Sequence, residues 1–347
     1  MLRVIIALLL GLPFSSGYET QAQHSWVKKL PGTGTFSSPR VTDLNGDGVG
    51  DIILGAGRKE FEACDSAIIA LNGLNGELLW HVSAHDQIFG SAALSDLNED
   101  GIKDVIINGR SAELQAIDGT NGNIIWKFNK KSKYRGKELK WYNFYNPQLI
   151  PDQNLDGYED ILVTNGGDVM AAAYDPKRPT GNIVVLDSKN GNIISMAAMP
   201  DGQETYMSIS TCKIINSEDY AIILGTGGET IAGSLYLTYL SDVMKGDISK
   251  AIRLATSKKN GFTAPPVWID ITGDKIPDII ANAADGRLLA FNGNTYERLW
   301  ETQMDGTEAY SSIAVGHFTN DITPDFFVSY AQGSWPNLDW SKQFMVN

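Results

Sequence analysis

The sequence predicts an all-β fold, a β-propeller of four-stranded blades, and three observations support this prediction. An acidic loop with a fixed pattern of oxygen-bearing residues recurs along the chain, flanked by short segments rich in β-branched residues. A second motif with an Asn-Gly turn follows most copies, as expected for a two-stranded hairpin. The repeat length of 47 to 59 residues suits a four-stranded unit that needs its neighbours to bury its faces.

Residues 1–23 have the features of a secretory signal and are excluded from the predicted fold. Arg3 precedes a short apolar run, and small residues follow that run. The run of about nine apolar residues is too short to span a bilayer. We therefore predict no transmembrane span, an extracytoplasmic location (periplasm, cell surface or medium), and a single domain over residues 24–347.

The first acidic loop has the pattern of a calcium-binding turn. Oxygen-bearing side chains stand at positions 1, 3, 5 and 9, glycine stands at position 6, and the backbone carbonyl of position 7 completes the set. An EF-hand would need glutamate at position 12 and helices on both sides, but position 12 is Leu54 and the flanks indicate strands. The candidate ligands are Asp43, Asn45, Asp47, Val49 and Asp51.

Four later loops repeat this pattern with different completeness. The second and third are complete, with candidate ligands Asp96, Asn98, Asp100, Ile102 and Asp104, and Asp152, Asn154, Asp156, Tyr158 and Asp160. The fourth has Lys275 in place of the glycine, and its candidates are Asp270, Thr272, Asp274, Ile276 and Asp278. The fifth, residues 317–325, lacks the first carboxylate and the glycine, so we expect weak metal binding or none. Three calcium sites are predicted, and a fourth is allowed.

The spacing of the loops defines six units. The starts at 43, 96, 152, 270 and 317 leave one double gap, in which Asn216 to Asp219 replace the loop of a degenerate unit. Each unit carries an aromatic residue seven or eight positions before its loop: Phe36, Phe89, Tyr145, Tyr206, Phe262 and Tyr310. The predicted blades lie near residues 36–88, 89–144, 145–205, 206–261, 262–309 and 310–347.

The hairpin motif ends in tryptophan in three units, at Trp80, Trp126 and Trp300, whereas Ser195 takes this place in the third unit. The last unit stops before its fourth strand, and residues 24–30 with Trp26 look like that strand. The sequence therefore predicts six blades closed by the N-terminal strand. A seven-bladed ring whose C-terminal part is absent from this chain is the alternative.

The first motif resembles the FG-GAP repeat of integrin α-chain propellers and the related VCBS repeats, in Phe89-Gly90 through Asp104 and in Gly55-Ala56-Gly57. The tryptophan motif resembles the docking repeats of pyrroloquinoline quinone (PQQ) dehydrogenases and of the outer-membrane assembly factor BamB. The resemblance covers residues 24–347. It implies a propeller, calcium bound by the loop residues named above, and tryptophans that dock blades together. It implies nothing definite about activity, because propellers host unrelated functions.

Composition and residue chemistry exclude several classes of function. The net charge of −13 argues against a nucleic-acid partner. The two cysteines lie in different units and indicate no disulfide framework. His81 and His85 are four apart but lie on a predicted strand, which does not suit a zinc pair, and no Gly-x-Ser-x-Gly motif occurs. No catalytic residue is predicted, and a monomer is expected.

One segment, residues 127–145, is basic and aromatic within this acidic chain, and it should emerge opposite the calcium loops together with the hairpin 165–180. Its cations would attract an anionic ligand, and its rings could stack on sugars or peptide side chains. The predicted ligand surface comprises Lys131, Arg135, Trp141, Tyr142, Tyr174 and Arg178.

Together these features predict an extracytoplasmic propeller with structural Ca²⁺ that binds or scaffolds an unknown protein or polysaccharide. The alternatives are a quinoprotein-like oxidoreductase and an assembly scaffold of the BamB kind. PQQ is not expected, because the chain is shorter than the quinoprotein rings it resembles and lacks the adjacent cysteine pair that many of them carry.

Overall fold

The computed structural model describes residues 25–128, 143–168, 171–215, 217–321 and 323–332. The β-branched segments form five four-stranded antiparallel sheets, each with its strands in sequence order. The first two sheets comprise β1 (Arg40–Thr42), β2 (Asp51–Gly55), β3 (Cys64–Leu71) and β4 (Leu78–Ala84), and β5 (Ala93–Ser95), β6 (Asp104–Asn108), β7 (Leu114–Ile117) and β8 (Ile124–Lys127).

The next three sheets follow the same plan. They comprise β9 (Asn143–Ile150), β10 (Asp160–Gly166), β11 (Asn182–Leu186) and β12 (Ile193–Ala198); β13 (Ser210–Lys213), β14 (Tyr220–Gly225), β15 (Gly233–Tyr239) and β16 (Ile252–Ser257); and β17 (Val267–Ile269), β18 (Asp278–Asn282), β19 (Arg287–Phe291) and β20 (Arg298–Gln303). In the sixth unit β21 (Thr307–Glu308) pairs with β24 (Ala331–Gln332), and β22 (Ala314–Gly316) with β23 (Asp325–Phe327). The predicted all-β fold is confirmed.

The inner strands of each sheet are covered on both faces. Every residue of β6, β11 and β18 is buried, which requires an apolar layer on each side of the sheet. Those layers come from the neighbouring units, because each core cluster joins two consecutive sheets. Ile53 and Val105 share the cluster between units one and two, for example. Consecutive face-to-face packing of this kind is how propeller blades bury their faces.

Three tryptophans lock neighbouring units together at the ends of the outer strands. The indole N–H of Trp80 donates to the carbonyl of Gly119 in the next unit at 2.7 Å, and that of Trp126 donates to the carbonyl of Ser188 at 2.7 Å. Trp26 makes the same bond to Gly73, at 2.8 Å. Each ring lies on a turn glycine with positive φ; a Cβ at Gly122 would be 2.9 Å from Trp80. Glycine therefore serves both the turn and the docked ring.

The two units without this tryptophan show what replaces it. A short helix, α1 (Leu240–Lys245), stands where unit four should have its Asn-Gly turn. The hydroxyl of Ser195 donates to the carbonyl of Val243 in this helix at 2.6 Å, so serine fills the reduced space where other units place an indole. In unit four, the outer strand β16 contains no tryptophan. No regular helix was expected in this region, and α1 corrects that expectation.

The first described residues of the chain pack against unit one. Trp26 and Leu30 pack against unit one, and Gly34 forms a β-bridge with Gly57. The strand expected at residues 343–347 lies outside the described residues, so the blade number and closure by the N-terminal strand stay predictions. The helix found in the described ranges has six residues, and none there is long and apolar enough to cross a membrane.

Candidate functional site

The acidic loops lie where the sequence places them, between the first and second strands of their sheets. In the first loop, Asp43 accepts the N–H groups of Gly46 at 2.8 Å and Gly48 at 2.9 Å. These backbone donors, Gly48 foremost, hold the pKa of Asp43 below its usual value. Asp96, Asp152 and Asp270 likewise accept backbone N–H groups within their own loops. The first carboxylates are thus held in their loops as acceptors of backbone hydrogen bonds.

The side chains at positions 3 and 5 also accept local backbone bonds. Asn45 accepts from Asp47 at 2.9 Å, and Asp47 accepts from Val49 at 2.8 Å. The equivalent acceptors are Asn98, Asp100, Asn154, Asp156 and Asp274. Thr272 instead donates its hydroxyl to Asp270 at 3.4 Å. Lys275 adopts a φ of 70° at the position where the complete loops have glycine, which is a costly conformation for a residue with a Cβ.

The aspartates at position 9 of the first four loops are buried, and three of them connect two turns. Asp51 accepts the N–H of Leu44 at 2.8 Å and that of Gly73, in the hairpin turn, at 2.9 Å. Asp104 and Asp278 bridge the same two turns in their units. In unit three Asp160 accepts from Gln153, and burial raises its pKa to about 6. Asp51, Asp104 and Asp278 thus each act as a clamp between the acidic loop and the outer hairpin, whereas the second carboxylate oxygen of Asp160 is buried without a hydrogen-bond partner among the described residues.

Calcium binding by these loops depends on the carboxylate lone pairs that the backbone hydrogen bonds leave free. An ionised carboxylate offers about four acceptor sites, so one or two backbone bonds leave room for a cation. The carbonyls of Val49, Ile102, Tyr158 and Ile276 stand at position 7 of their loops. Within the described ranges no group of three or more His, Cys, Asp and Glu side chains is already gathered at metal-binding distance.

The opposite end of the sheets carries a cavity of about 500 Å³. Because the strands alternate in direction, the loops between second and third strands and the connections between units lie together at this end. The aromatic residues that precede the acidic loops converge here from five of the six units, while Phe262 of unit five is fully buried in the core. The ring-bearing residues of the lining are Phe36, Phe89, Tyr145, Tyr206 and Tyr310.

These rings form a continuous wall over part of the cavity. The centroids of Phe89 and Tyr145 are 5.6 Å apart, and those of Tyr145 and Tyr206 are 6.1 Å apart in an edge-to-face arrangement. Burial raises the pKa of both tyrosines, so their hydroxyl groups stay neutral. Tyr206 donates to Glu204 at 3.3 Å, and Tyr310 donates to Glu308. The wall therefore presents ring faces together with carboxylates.

Two arginines and four carboxylates also line the cavity. Arg110 donates to Glu60 at 2.7 Å and to Gln87 at 3.2 Å, and its guanidinium carbon is 5.4 Å from the centroid of Phe89. The side chain of Arg178 is 5% exposed and donates to three backbone carbonyls, those of Asp168, Ala172 and Asp175. It is also 3.7 Å from Glu204. The remaining charged lining residues are Asp168 and Glu229.

The predicted ligand surface meets this cavity only in part. Lys131, Arg135, Trp141 and Tyr142 lie outside the described residues. Arg178 lines the cavity, and Tyr174 is half-exposed in the same loop. The sequence suggested Arg178 as a free cation for a ligand, but the fold uses its donors to hold the loop of residues 168–178. The described lining has a formal charge of −2, whereas the sequence suggested an anionic ligand.

A larger groove of about 750 Å³ lies beside units four and five. It contains no aromatic residue among its described lining, and Arg287 is already paired with Asp285 at 2.8 Å and bonded to the carbonyl of Thr256 at 3.0 Å. Groups that recognise a ligand are usually aromatic surfaces with a few polar atoms. The aromatic cavity is therefore the better candidate site.

The buried Glu204 predicts a specific pH dependence. Burial raises its pKa, and Arg178 opposes that shift. A carboxyl whose pKa is raised in the folded state stabilises the fold below its unfolded pKa, and this contribution is lost as the pH rises through the folded pKa. We expect the free energy of unfolding of the wild type, minus that of Glu204→Gln, to fall between pH 4 and pH 8 in urea titrations.

The exposed Glu297 provides the control for this experiment. Glu297→Gln should give a nearly constant difference over the same pH range, since surface charges contribute little. If the free energy of unfolding of the wild type, minus that of Glu204→Gln, instead grew with pH, the prediction would be contradicted. Such a result would mean that pairing with Arg178 outweighs burial.

A family model for the FAM234A/B β-propeller matches residues 26–335. This chain belongs to the FAM234A/B β-propeller family. Human protein FAM234B is 24% identical over 370 residues, which cover 96% of this chain and 54% of that protein. This FAM234A/B family member thus spans about half the length of that relative.

Solved propeller structures resemble this FAM234A/B chain in fold. Quinohemoprotein alcohol dehydrogenase from Comamonas testosteroni is 14% identical, with a TM-score of 0.51 over 79% of this chain and 43% of that one. BamB from Moraxella catarrhalis is 16% identical, with a TM-score of 0.44 over 76% of this chain and 62% of that one. The family match confirms the predicted β-propeller, while calcium binding and the relation to FG-GAP repeats stay predictions.

Proposed function

We propose that this FAM234A/B propeller is a ligand-binding module that works outside the cytoplasm, and that its binding site is the aromatic cavity. The observation that supports this most is the convergence of one aromatic residue from each of five units on one cavity of about 500 Å³. Cavities of this size, with ring faces and a few placed charges, suit small ligands or a protruding side chain of a partner. The signal-like residues 1–23 support the location.

The chemistry of the lining favours binding over catalysis. The described lining residues include no histidine, cysteine or serine, which are common nucleophiles and bases. Both arginines are engaged within the protein. We propose that calcium, in the loops of units one to three and with less complete ligands in residues 270–278, stabilises the blades from the opposite end and takes no part in ligand recognition.

A matched pair of substitutions tests the binding role. Phe36 is 79% exposed and lines the cavity, and Phe318 is 63% exposed in the loop of residues 317–325 at the other end. The wild type, Phe36→Ala and Phe318→Ala would be applied to glycan and extracellular-protein arrays with calcium present. We expect at least one interaction that Phe36→Ala weakens and Phe318→Ala preserves. Interactions that are all insensitive to Phe36 would contradict this site.

The quinoprotein alternative rests on fold likeness, and the lining does not fit PQQ. This cofactor carries three carboxylates, and the described cavity already has a formal charge of −2, so like charges would oppose binding. We expect no cofactor absorbance and no dye-linked alcohol oxidation after mixing with PQQ and Ca²⁺. Either signal would restore the oxidoreductase alternative.

A further inference from the structure

We infer that the aromatic cavity recognises an organic cation, an ammonium or guanidinium group carried by a small molecule or by a lysine or arginine side chain. This inference rests on the proposed function and names the chemical class of the ligand. It follows from three features of the lining: an unbalanced negative charge, a wall of ring faces, and arginines whose donors are already used.

The described lining of the aromatic cavity contains more carboxylates than arginines. Glu60, Asp168, Glu204 and Glu229 face only Arg110 and Arg178 in the described lining. Glu308, close to Glu229, is a further carboxylate at this end, and it accepts hydrogen bonds from Asn260 and Tyr310. A concave site with one sign of charge concentrates ions of the opposite sign. An entering cation would therefore be favoured over an anion or a neutral molecule.

Glu229 is the carboxylate best placed to meet this cation. It lines the cavity, and its side chain makes no hydrogen bond or ion pair with any other described residue. Burial and the neighbouring Glu308 raise its pKa, and Arg110 opposes that shift without bonding to it. By contrast, Glu60 is already bonded to Arg110.

The ring wall provides the second group of contacts. The guanidinium of Arg110 already lies over Phe89, so one ring of this wall holds a cation within the protein itself. Tyr145 and Tyr206 continue the wall beyond Phe89, and ring faces attract ammonium and guanidinium groups through their quadrupoles. A cavity of about 500 Å³ has room for a choline-sized ion or the end of a lysine side chain.

Isosteric pairs of probes test this inference on the whole chain by titration calorimetry. Choline is compared with 3,3-dimethyl-1-butanol, its neutral isostere, and the end-capped peptide acetyl-Gly-Ser-Lys-Ser-Gly-amide with the same capped peptide acetylated on the lysine side chain. We expect each cation to bind about tenfold more tightly than its neutral partner. Preference for choline alone or for the lysine peptide alone supports the inference and identifies the source of the cation.

Charge-removing variants locate the site. Glu229→Gln keeps the side-chain shape and should weaken binding of the preferred cation about fivefold or more, whereas Glu297→Gln, at an exposed position in an outer hairpin, should leave it within about twofold. Equal binding of the charged and neutral probes would overturn the inference while leaving a binding cavity in place. Absence of binding by both cations would also overturn it, and the Phe36-dependent array interactions would then decide the proposed function separately.

Discussion

Alanine in place of Trp126 is expected to lower the free energy of unfolding by about 3–5 kcal/mol. Trp126 is 8% exposed, packs in the core shared by units two and three, and donates its indole N–H to Ser188. Its removal would open a cavity at a blade interface and leave the carbonyl of Ser188 without this donor. Urea unfolding followed by far-ultraviolet circular dichroism would measure the loss.

Trp300 provides a matched control in unit five. It occupies the same strand position, opposite Ala290, but is 36% exposed and makes its aromatic contact with Phe326 at a centroid distance of 6.4 Å. Trp300→Ala should therefore cost about 1–2 kcal/mol. Equal losses at the two positions would show that the docked geometry of Trp126 is not what stabilises the interface.

The docking of tryptophan on glycine could be predicted from sequence because both partners belong to short local motifs. An Asn-Gly turn fixes the hairpin, and a repeated tryptophan at one spacing from the turn identifies the packing residue. In the units that lack this tryptophan, the residues that fill its space could not be predicted in this way. The presence of serine at position 195 is explained by α1, because Ser195 donates to Val243 of this helix. Val243 lies 48 residues further along the chain, and the two residues meet across the interface of two blades.

A similar compensation occurs between units four and five. Tyr296 stands at the turn position that holds glycine in units one to three, and it adopts a φ of 60°. Its hydroxyl is 3.1 Å from that of Tyr239 in the preceding unit. Since the outer strand of unit four has no tryptophan, Tyr296 packs into the core shared by units four and five from the other side of the interface. The tyrosine in the turn of unit five and the missing tryptophan in unit four both depart from the repeat, and each departure explains the other.

The candidate site shows the same limit of sequence-based reasoning. The aromatic residue before each loop was visible as a marker of the repeat, but its convergence on a cavity depends on the arrangement of units around an axis. The pairing of Arg110 with Glu60, and of Arg178 with backbone carbonyls, joins residues from different loops or from within one irregular loop. A charge pattern along the chain therefore does not reveal that Arg178 already donates to carbonyls of its own loop.

Chelation of calcium is expected to lower the free energy of unfolding by about 4 kcal/mol if the three complete loops bind the ion. Extracellular calcium sites have dissociation constants of about 0.1–1 mM. At roughly 1 mM free calcium, a site with a constant of about 0.1 mM contributes about 1.4 kcal/mol. For a domain of this size the loss corresponds to a fall of about 6 °C in Tm. Thermal unfolding with calcium and with EDTA would measure it, and coincident melting curves would refute a structural role for calcium.

Two substitutions in the first loop distinguish the stabilisation by bound calcium from the stabilisation by the hydrogen bonds of Asp51. Asp47→Asn removes a charge at position 5 but keeps an oxygen that can accept the N–H of Val49. It should cost about 1.4 kcal/mol in calcium and close to nothing in EDTA. Asp51→Asn changes a fully buried carboxylate that accepts the N–H groups of both Leu44 and Gly73.

An amide has one oxygen and cannot replace both of those acceptors at Asp51, so Asp51→Asn should destabilise the fold by about 1–3 kcal/mol even in EDTA. Equal calcium dependence of the Asp47 and Asp51 variants would show that position 9 acts as an ion ligand rather than as the link between two turns. A calcium-dependent loss at Asp47 alone would place the ion at the exposed end of the loop. The buried aspartate would then hold the blade together independently of the ion.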